Sequence, residues 1–286
     1  LCLRLLAKDP DDRLASASHL LHLLGDLDPT DTDEHWPPRF VGRHRVRARL
    51  QAALTGLATD GRGAAVLLQG PAGHGKTRLL DMAATQARRR GLRVVRAAAR
   101  PEDGPFGLFV PVLRALCPDP DKVPEPLGAA LLGRGERPRE RYPVLSAFRP
   151  LLVEHAPLVL VLDDLQDADG ASIDLLSYLV RNTLDLDHQP VGFILAEDAD
   201  APGDTELQSR LGASPAVQQE RIGALLASEV EELMVALLPD PDKARTLALR
   251  LHAESEGSPT YLADMLRSLV DEGVLVEQDG RYTLQL

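Results

Sequence analysis

Apolar positions recur along the chain at two periods, and the alternation between those periods predicts the architecture. Ala64 to Leu68 and Leu158 to Leu162 are short continuous apolar runs, the pattern of strands covered on both faces. Leu92 to Ala97 and Val191 to Ala196 read as two further strands. Between them the apolar residues fall at helical spacing, over Val46 to Ala58, Lys76 to about Arg90, Pro111 to Cys117, Ser146 to His155 and "ASIDLLSYLVRN". Strands alternating with helices of these lengths predict an α/β fold with a mainly parallel sheet, helices lying on both faces. After Ala201 the strand signal fades. "SEVEELMVALL", "ARTLALRLHAESEG" and "PTYLADMLRSLVDEG" predict an all-helical subdomain, and "VLVEQDGRYTLQL" a closing hairpin that turns at Asp279-Gly280.

Breaks in the pattern divide the chain. Leu1 to Leu27 reads as two short helices, with Asp9-Pro10 and Ser16 as starts. The acidic, proline-rich "DLDPTDTDEHWPP", Asp26 to Pro38, reads as a linker, and Pro118 to Pro138 as an exposed loop. The expected division is therefore a small N-terminal piece over 1–27, a linker over 28–38, an α/β domain over 39–200, a helical subdomain over 201–273 and a terminal hairpin over 274–286. A chain opening on Leu1 reads as a piece of a longer product.

Composition narrows the function classes. With 286 residues, 44% hydrophobic and 26% charged, the chain matches a soluble globular protein. A net charge of −11 argues against a general duplex-binding surface, which needs a local excess of Lys and Arg. Aromatic residues are 3% of the chain, too few for base-stacking platforms. The basic cluster Arg39, Arg43, Arg45, Arg47 and Arg49 reads as a solvated helix face rather than a phosphate-contacting patch. Cys2 and Cys117 form neither a disulfide framework nor a metal spacing, which fits a reducing, cytoplasmic setting. No apolar run approaches the length of a membrane span.

One segment adds chemistry. "GPAGHGKT", Gly70 to Thr77, fits G-x-x-x-x-G-K-[ST] and stands between a strand signal and a helix signal. Its glycines, Gly70, Gly73 and Gly75, let successive backbone N–H groups turn toward phosphate oxygens, and the helix that follows adds its positive end. Lys76 is placed to reach the β- and γ-phosphates, and Thr77 to offer a hydroxyl to Mg²⁺. "LVLVLDDLQDAD" supplies the complement, because an acid at the C-terminal end of a buried strand faces the crevice where parallel sheets bind ligands. Asp163 is the candidate metal partner, holding Mg²⁺ through a water. Asp164 is the candidate that orients or deprotonates the attacking water.

"FVGRHRVRARLQAAL", "LLQGPAGHGKTRLL", "PLVLVLDDLQDADGASIDLLSYL" and "SEGSPTYLADMLRSLVDEGVL" resemble, in order, blocks of the AAA-type P-loop ATPase domain of bacterial multidomain regulators of the STAND class. The resemblance spans about Arg39 to Leu286. It implies a P-loop NTPase sheet, a helical subdomain and the start of a winged region. It places Phe40 to Arg43, with Val41 and Gly42, near adenine and ribose, and gives Gly257-Ser258-Pro259 the place of the family's G-x-P element, where the helical subdomain closes on nucleotide. Departures accompany it: Asp167 stands where the family commonly has Trp, His44 where it has an acid, and "ILAEDADAPGD" offers no arginine after the fourth strand before Arg210. A second resemblance joins "LLAKDPDDRLASASHLL" to the last helices of a Ser/Thr protein kinase domain, with Arg13 at a structural arginine position. The parent would then be a kinase–ATPase fusion, with no kinase activity in this chain.

Together these readings predict a cytoplasmic module that binds ATP or ADP with Mg²⁺ and hydrolyses ATP slowly as a regulatory switch. Protein partners or self-association through flanking regions are expected, nucleic acid and membrane are not. Two alternatives stand beside it: an origin-recognition-like DNA-binding ATPase, and an interaction module with a degenerate nucleotide site.

Overall fold

The computed structural model describes residues 41–134, 141–200, 211, 214–278 and 281–285. The helices and linker expected over 1–38 lie outside these residues, as do Phe40 and the Asp279-Gly280 turn.

Five strands make the central sheet: β1 Ala64–Gly70, β2 Arg93–Ala98, β3 Leu158–Asp163, β4 Val191–Asp198 and β5 Val217–Arg221, ordered β2-β3-β4-β1-β5. Every neighbouring pair runs parallel. The order brings the C-terminal ends of β1, β3 and β4 side by side, where an open parallel sheet places its ligand.

The continuous apolar runs become strands with both faces buried. Leu158, Leu160 and Leu162 enter one core and Val159 and Val161 the other, so successive residues of β3 alternate between two hydrophobic layers. The second layer receives α1, His44–Asp60, and α2, Lys76–Arg89. Leu50, Leu54 and Leu57 of α1 lie on one helical face and are all buried. The first layer is covered by α3 Phe109–Leu116, α4 Glu125–Leu131, α5 Tyr142–Glu154 and α6 Gly170–Val180. Phe109 and Phe148 meet edge to face there, with centroids 5.2 Å apart, a geometry worth about 1 kcal/mol beyond burial. The Asp169 carboxylate caps α6 at the N–H groups of Ala171 and Ser172, and it also accepts the N–H groups of Phe106 (3.1 Å) and Gly107 (3.3 Å). One side chain thus fixes a helix start and the turn that leads into α3.

Beyond the sheet come α7 Ala227–Leu237, α8 Pro241–Ser255 and α9 Pro259–Asp271, then β6 Leu275–Gln278 and β7 Arg281–Leu284 as an antiparallel pair. Asp240 and Ser258 cap α8 and α9, each followed by proline at the first helical position.

Two readings are corrected. The sheet does not end near residue 200, because β5 lies inside the stretch expected to be helical and pairs with β1. Its sequence, "VQQER", lacks an apolar pattern because the strand is at an edge, and its one buried residue is Glu220. The expected loop from Pro118 to Pro138 contains α4, with Leu127 and Leu131 buried in the first core; its proline and glycine disguise a short helix that starts at Glu125, just after Pro124, and packs on α5. Among the described residues no helix is long and apolar enough to cross a membrane.

Candidate functional site

The phosphate-loop pattern falls where its chemistry requires. β1 ends at Gly70, the loop crosses to Gly75 in a left-handed conformation at φ 86°, and α2 starts at Lys76. No side chain caps this helix. Its first-turn N–H groups, which have no partner inside the helix, are left facing the loop. Gly70 is required by a close approach: a Cβ there would lie 2.1 Å from the Ile222 carbonyl oxygen, where the chain leaving β5 passes the loop. The Lys76 side chain is buried, and its Nζ donates to the Gly70 (2.6 Å) and Pro71 (2.9 Å) carbonyls. The ammonium is thereby stored at the mouth of the loop.

β3 delivers the acids. Asp163 is buried and accepts the Thr77 hydroxyl at 2.8 Å and the Asp164 N–H at 2.9 Å. Burial pushes its carboxyl above the ordinary range; the Thr77 hydrogen bond opposes the rise and the Asp164 charge adds to it. Such a carboxylate gains from a nearby cation. Asp164 leaves the strand in a left-handed conformation, φ 55° and ψ 40°, which turns its side chain out of the ladder; Asp is among the few residues that tolerate this geometry.

The N-terminal and C-terminal candidates converge on the far side of the loop. Gly42 is buried, Val41 half-buried, and the Arg43 N–H donates to Glu229 Oε1 at 2.5 Å. The Arg43 guanidinium points to carbonyl oxygens: Gly223 at 2.5 Å, His74 at 3.3 Å and Ala224 at 3.5 Å. Burial holds the Arg43 guanidinium below its ordinary value, with the Glu229 charge opposing. Pro259 opens α9 and sets Thr260 against the loop, where both its hydroxyl (2.8 Å) and its N–H (3.3 Å) donate to the Gly73 carbonyl. Gly257 packs on the segment after β5, where a Cβ would lie 2.3 Å from the Leu225 carbonyl oxygen.

Three contributors escaped sequence reasoning. Thr260, next to the G-x-P tripeptide, could have been found from its place in a first helical turn. Glu229 had no signal, since it acts on a backbone N–H 186 positions away. Gln166 links Asp164 to the end of β4, described below. The basic cluster also reads differently in three dimensions. Arg49 and Arg45 reach the buried Glu220 of β5, at 2.8 and 3.6 Å; the Arg49 contact is one of charge, because its N–H is not aligned for a hydrogen bond. With Arg43 turned to the connector, Arg43 and Arg49 hold neighbouring elements, while Arg45 stays 80% exposed, as the solvated-face reading expects. Arg39 lies outside the described residues.

A family model for the AAA ATPase domain matches residues 39–195, more than half of the chain. The chain belongs to that family. None of the curated proteins matches it. Among solved structures, AMPPCP-bound DnaA from Aquifex aeolicus is similar at 17% identity and a TM-score of 0.50, over 82% of this chain and 64% of that one. The Thermotoga maritima RuvB Holliday junction branch migration motor is similar at 19% identity and a TM-score of 0.49, over 81% of this chain and 63% of that one. This AAA domain therefore spans less than two thirds of the length of those chains. At these identities the likeness is one of fold.

The AAA domain has a donor set that fits nucleotide and Mg²⁺. The Thr77 hydroxyl and the Asp163 carboxylate meet at 2.8 Å, hard oxygen donors of the kind that Mg²⁺ takes, directly or through water, beside phosphates. The uncapped first turn of α2 and the Lys76 ammonium supply the positive lining.

Proposed function

We propose that this AAA domain binds ATP or ADP with Mg²⁺ and acts as a slow, partner-controlled switch. The observation that carries the reading is a double tether. The Gly73 carbonyl is held by Thr260 of α9, and the neighbouring His74 carbonyl by Arg43, which also holds the connector to α7. A peptide unit is planar, so the carbonyl of Gly73 moves with the N–H of His74, and that of His74 with the N–H of Gly75. A change on the phosphate side of the loop therefore pulls on the helical segment.

Within this site Gly70, Gly73 and Gly75 shape the loop, and Lys76 exchanges its two carbonyl partners for phosphate oxygens. Thr77 would hold the metal directly and Asp163 through a water, and Asp164 orients the attacking water or accepts its proton. Bound Mg²⁺ would neutralise phosphate charge as the leaving group departs. The end of β4 supports slowness. Glu197 is buried and accepts from Gln69 Nε2 at 2.5 Å, and no arginine stands among the described residues from Glu197 to Asp200. A charge stabiliser would then come from another chain.

The kinase-like sequence over 1–27 supports a kinase–ATPase fusion of STAND type in the cytoplasm, and the terminal β6–β7 pair supports the start of a winged region. Engagement of Arg43 and Arg49 by neighbouring elements favours this reading over a DNA-binding ATPase. Phosphate release with Mg²⁺ tests it. The wild type is expected to exceed a Lys76→Ala control, and Asp164→Asn to lose about a hundredfold in rate while still binding ATP. Release equal to the Lys76→Ala control would reduce the domain to a nucleotide binder.

A further inference from the structure

Gln166 sits in the turn Leu165–Asp167 that follows β3. Its Nε2 donates to Asp164 Oδ1 at 3.2 Å and to Asp167 Oδ2 at 3.3 Å, and its Oε1 accepts the Asp198 N–H at 2.9 Å. The amide can take only this orientation. A backbone N–H can only donate, so the oxygen must face Asp198, and two carboxylates can only accept, so the nitrogen must face Asp164 and Asp167. The side chain therefore joins the candidate water-orienting acid to the C-terminal end of β4, the strand end where the family's arginine is absent.

We infer that Gln166 is a positioning residue for hydrolysis: it fixes the Asp164 carboxylate relative to β4 and supplies the donor that Asp164 shares with Asp167. The inference rests on the hydrolytic reading of Asp164. Without the amide, two carboxylates three positions apart lose their shared donor, and nothing else among the described contacts fixes Oδ1 of Asp164. The Asp164 backbone stays in place, since its N–H is held by Asp163 and its carbonyl by the Asp167 N–H at 2.9 Å. The three hydrogen bonds of Gln166 go to Asp164, Asp167 and Asp198 and none to Lys76 or Thr77, so ATP binding is expected not to depend on it.

The test compares the full chain with its Gln166→Leu and Gln166→Glu variants, measuring ATP affinity and the rate of phosphate release across pH. Both variants are expected to bind ATP within about twofold of wild type. At pH 8 both are expected to lose about tenfold in kcat, the scale of losing a second partner that orients a reacting group. A glutamate at this position can still accept from Asp198, and regains a donor for Asp164 when it is protonated. The kcat of Gln166→Glu relative to wild type should therefore rise as pH falls toward 5.5, whereas that of Gln166→Leu stays flat. A merely structural role would not separate the two variants in this way. Wild-type kcat in Gln166→Leu overturns the inference and leaves the hydrolytic reading intact. So does a parallel loss of kcat and ATP affinity in both variants with no pH-dependent recovery. Absence of turnover in the wild type above Lys76→Ala overturns both readings together.

Discussion

Asp163 is a carboxylate that the fold makes costly to ionise, and that cost gives a pH signature. Its folded value is raised above the ordinary one by burial. The stability it contributes is complete below the unfolded value and is lost as pH rises through the folded value. Between about pH 4 and pH 7 the nucleotide-free wild type should lose stability relative to Asp163→Asn, which cannot ionise there. Melting temperatures of the two proteins across that range check the sign; a difference that stays constant, or moves toward the wild type, contradicts it. That Lys76, Thr77 and Asp163 come together at one strand end was legible from the chain, because motif spacing and strand context specify it. Gln166 and Thr260 were not, because each acts through a partner distant in sequence: Asp198, 32 positions from Gln166, and Gly73, 187 positions from Thr260. The direction of Arg43 toward the His74 and Gly223 carbonyl oxygens was not legible either.

At the scale of elements, β1, β3, β4, α1 and α2 were readable because each buries a periodic apolar face. β5 and α4 were hidden for opposite reasons. β5 is an edge strand held by its ladder to β1 and by arginines on Glu220, so its sequence needs no apolar alternation. α4 is short and interrupted by glycine, yet buries two leucines. The edge strand β2 is protected in another way: exposed Arg93 and Arg96 lie along it, with Arg93 donating to the Ala115 carbonyl at 2.8 Å and Arg96 pairing with Asp81. Charged side chains on an edge discourage pairing with another chain. The coupling of α9 to the phosphate loop yields a prediction at this scale. Thr260→Val removes one hydroxyl hydrogen bond, worth about 1 kcal/mol, and leaves helix and volume intact. Hydrogen exchange of the first turn of α9 should differ between ATP-bound and ADP-bound wild type, and that difference should shrink severalfold in the variant. An unchanged difference would remove the Gly73 tether from the mechanism.

For the whole molecule, the AAA fold and the convergence of loop, acid strand and α9 at one end of the sheet make nucleotide the organising ligand. The uncapped helix start and Lys76 bring positive charge to the loop. A ligand that binds only the folded state at about 100 times its Kd stabilises it by about 2.7 kcal/mol, or about 5–10 °C for a domain of this size. The most direct measurement is the melting temperature of the full chain with saturating ATP and Mg²⁺, beside the Lys76→Ala variant. The account predicts a rise of about 5–10 °C in the wild type and little or none in the variant; equal melting temperatures with and without nucleotide in the wild type would contradict it.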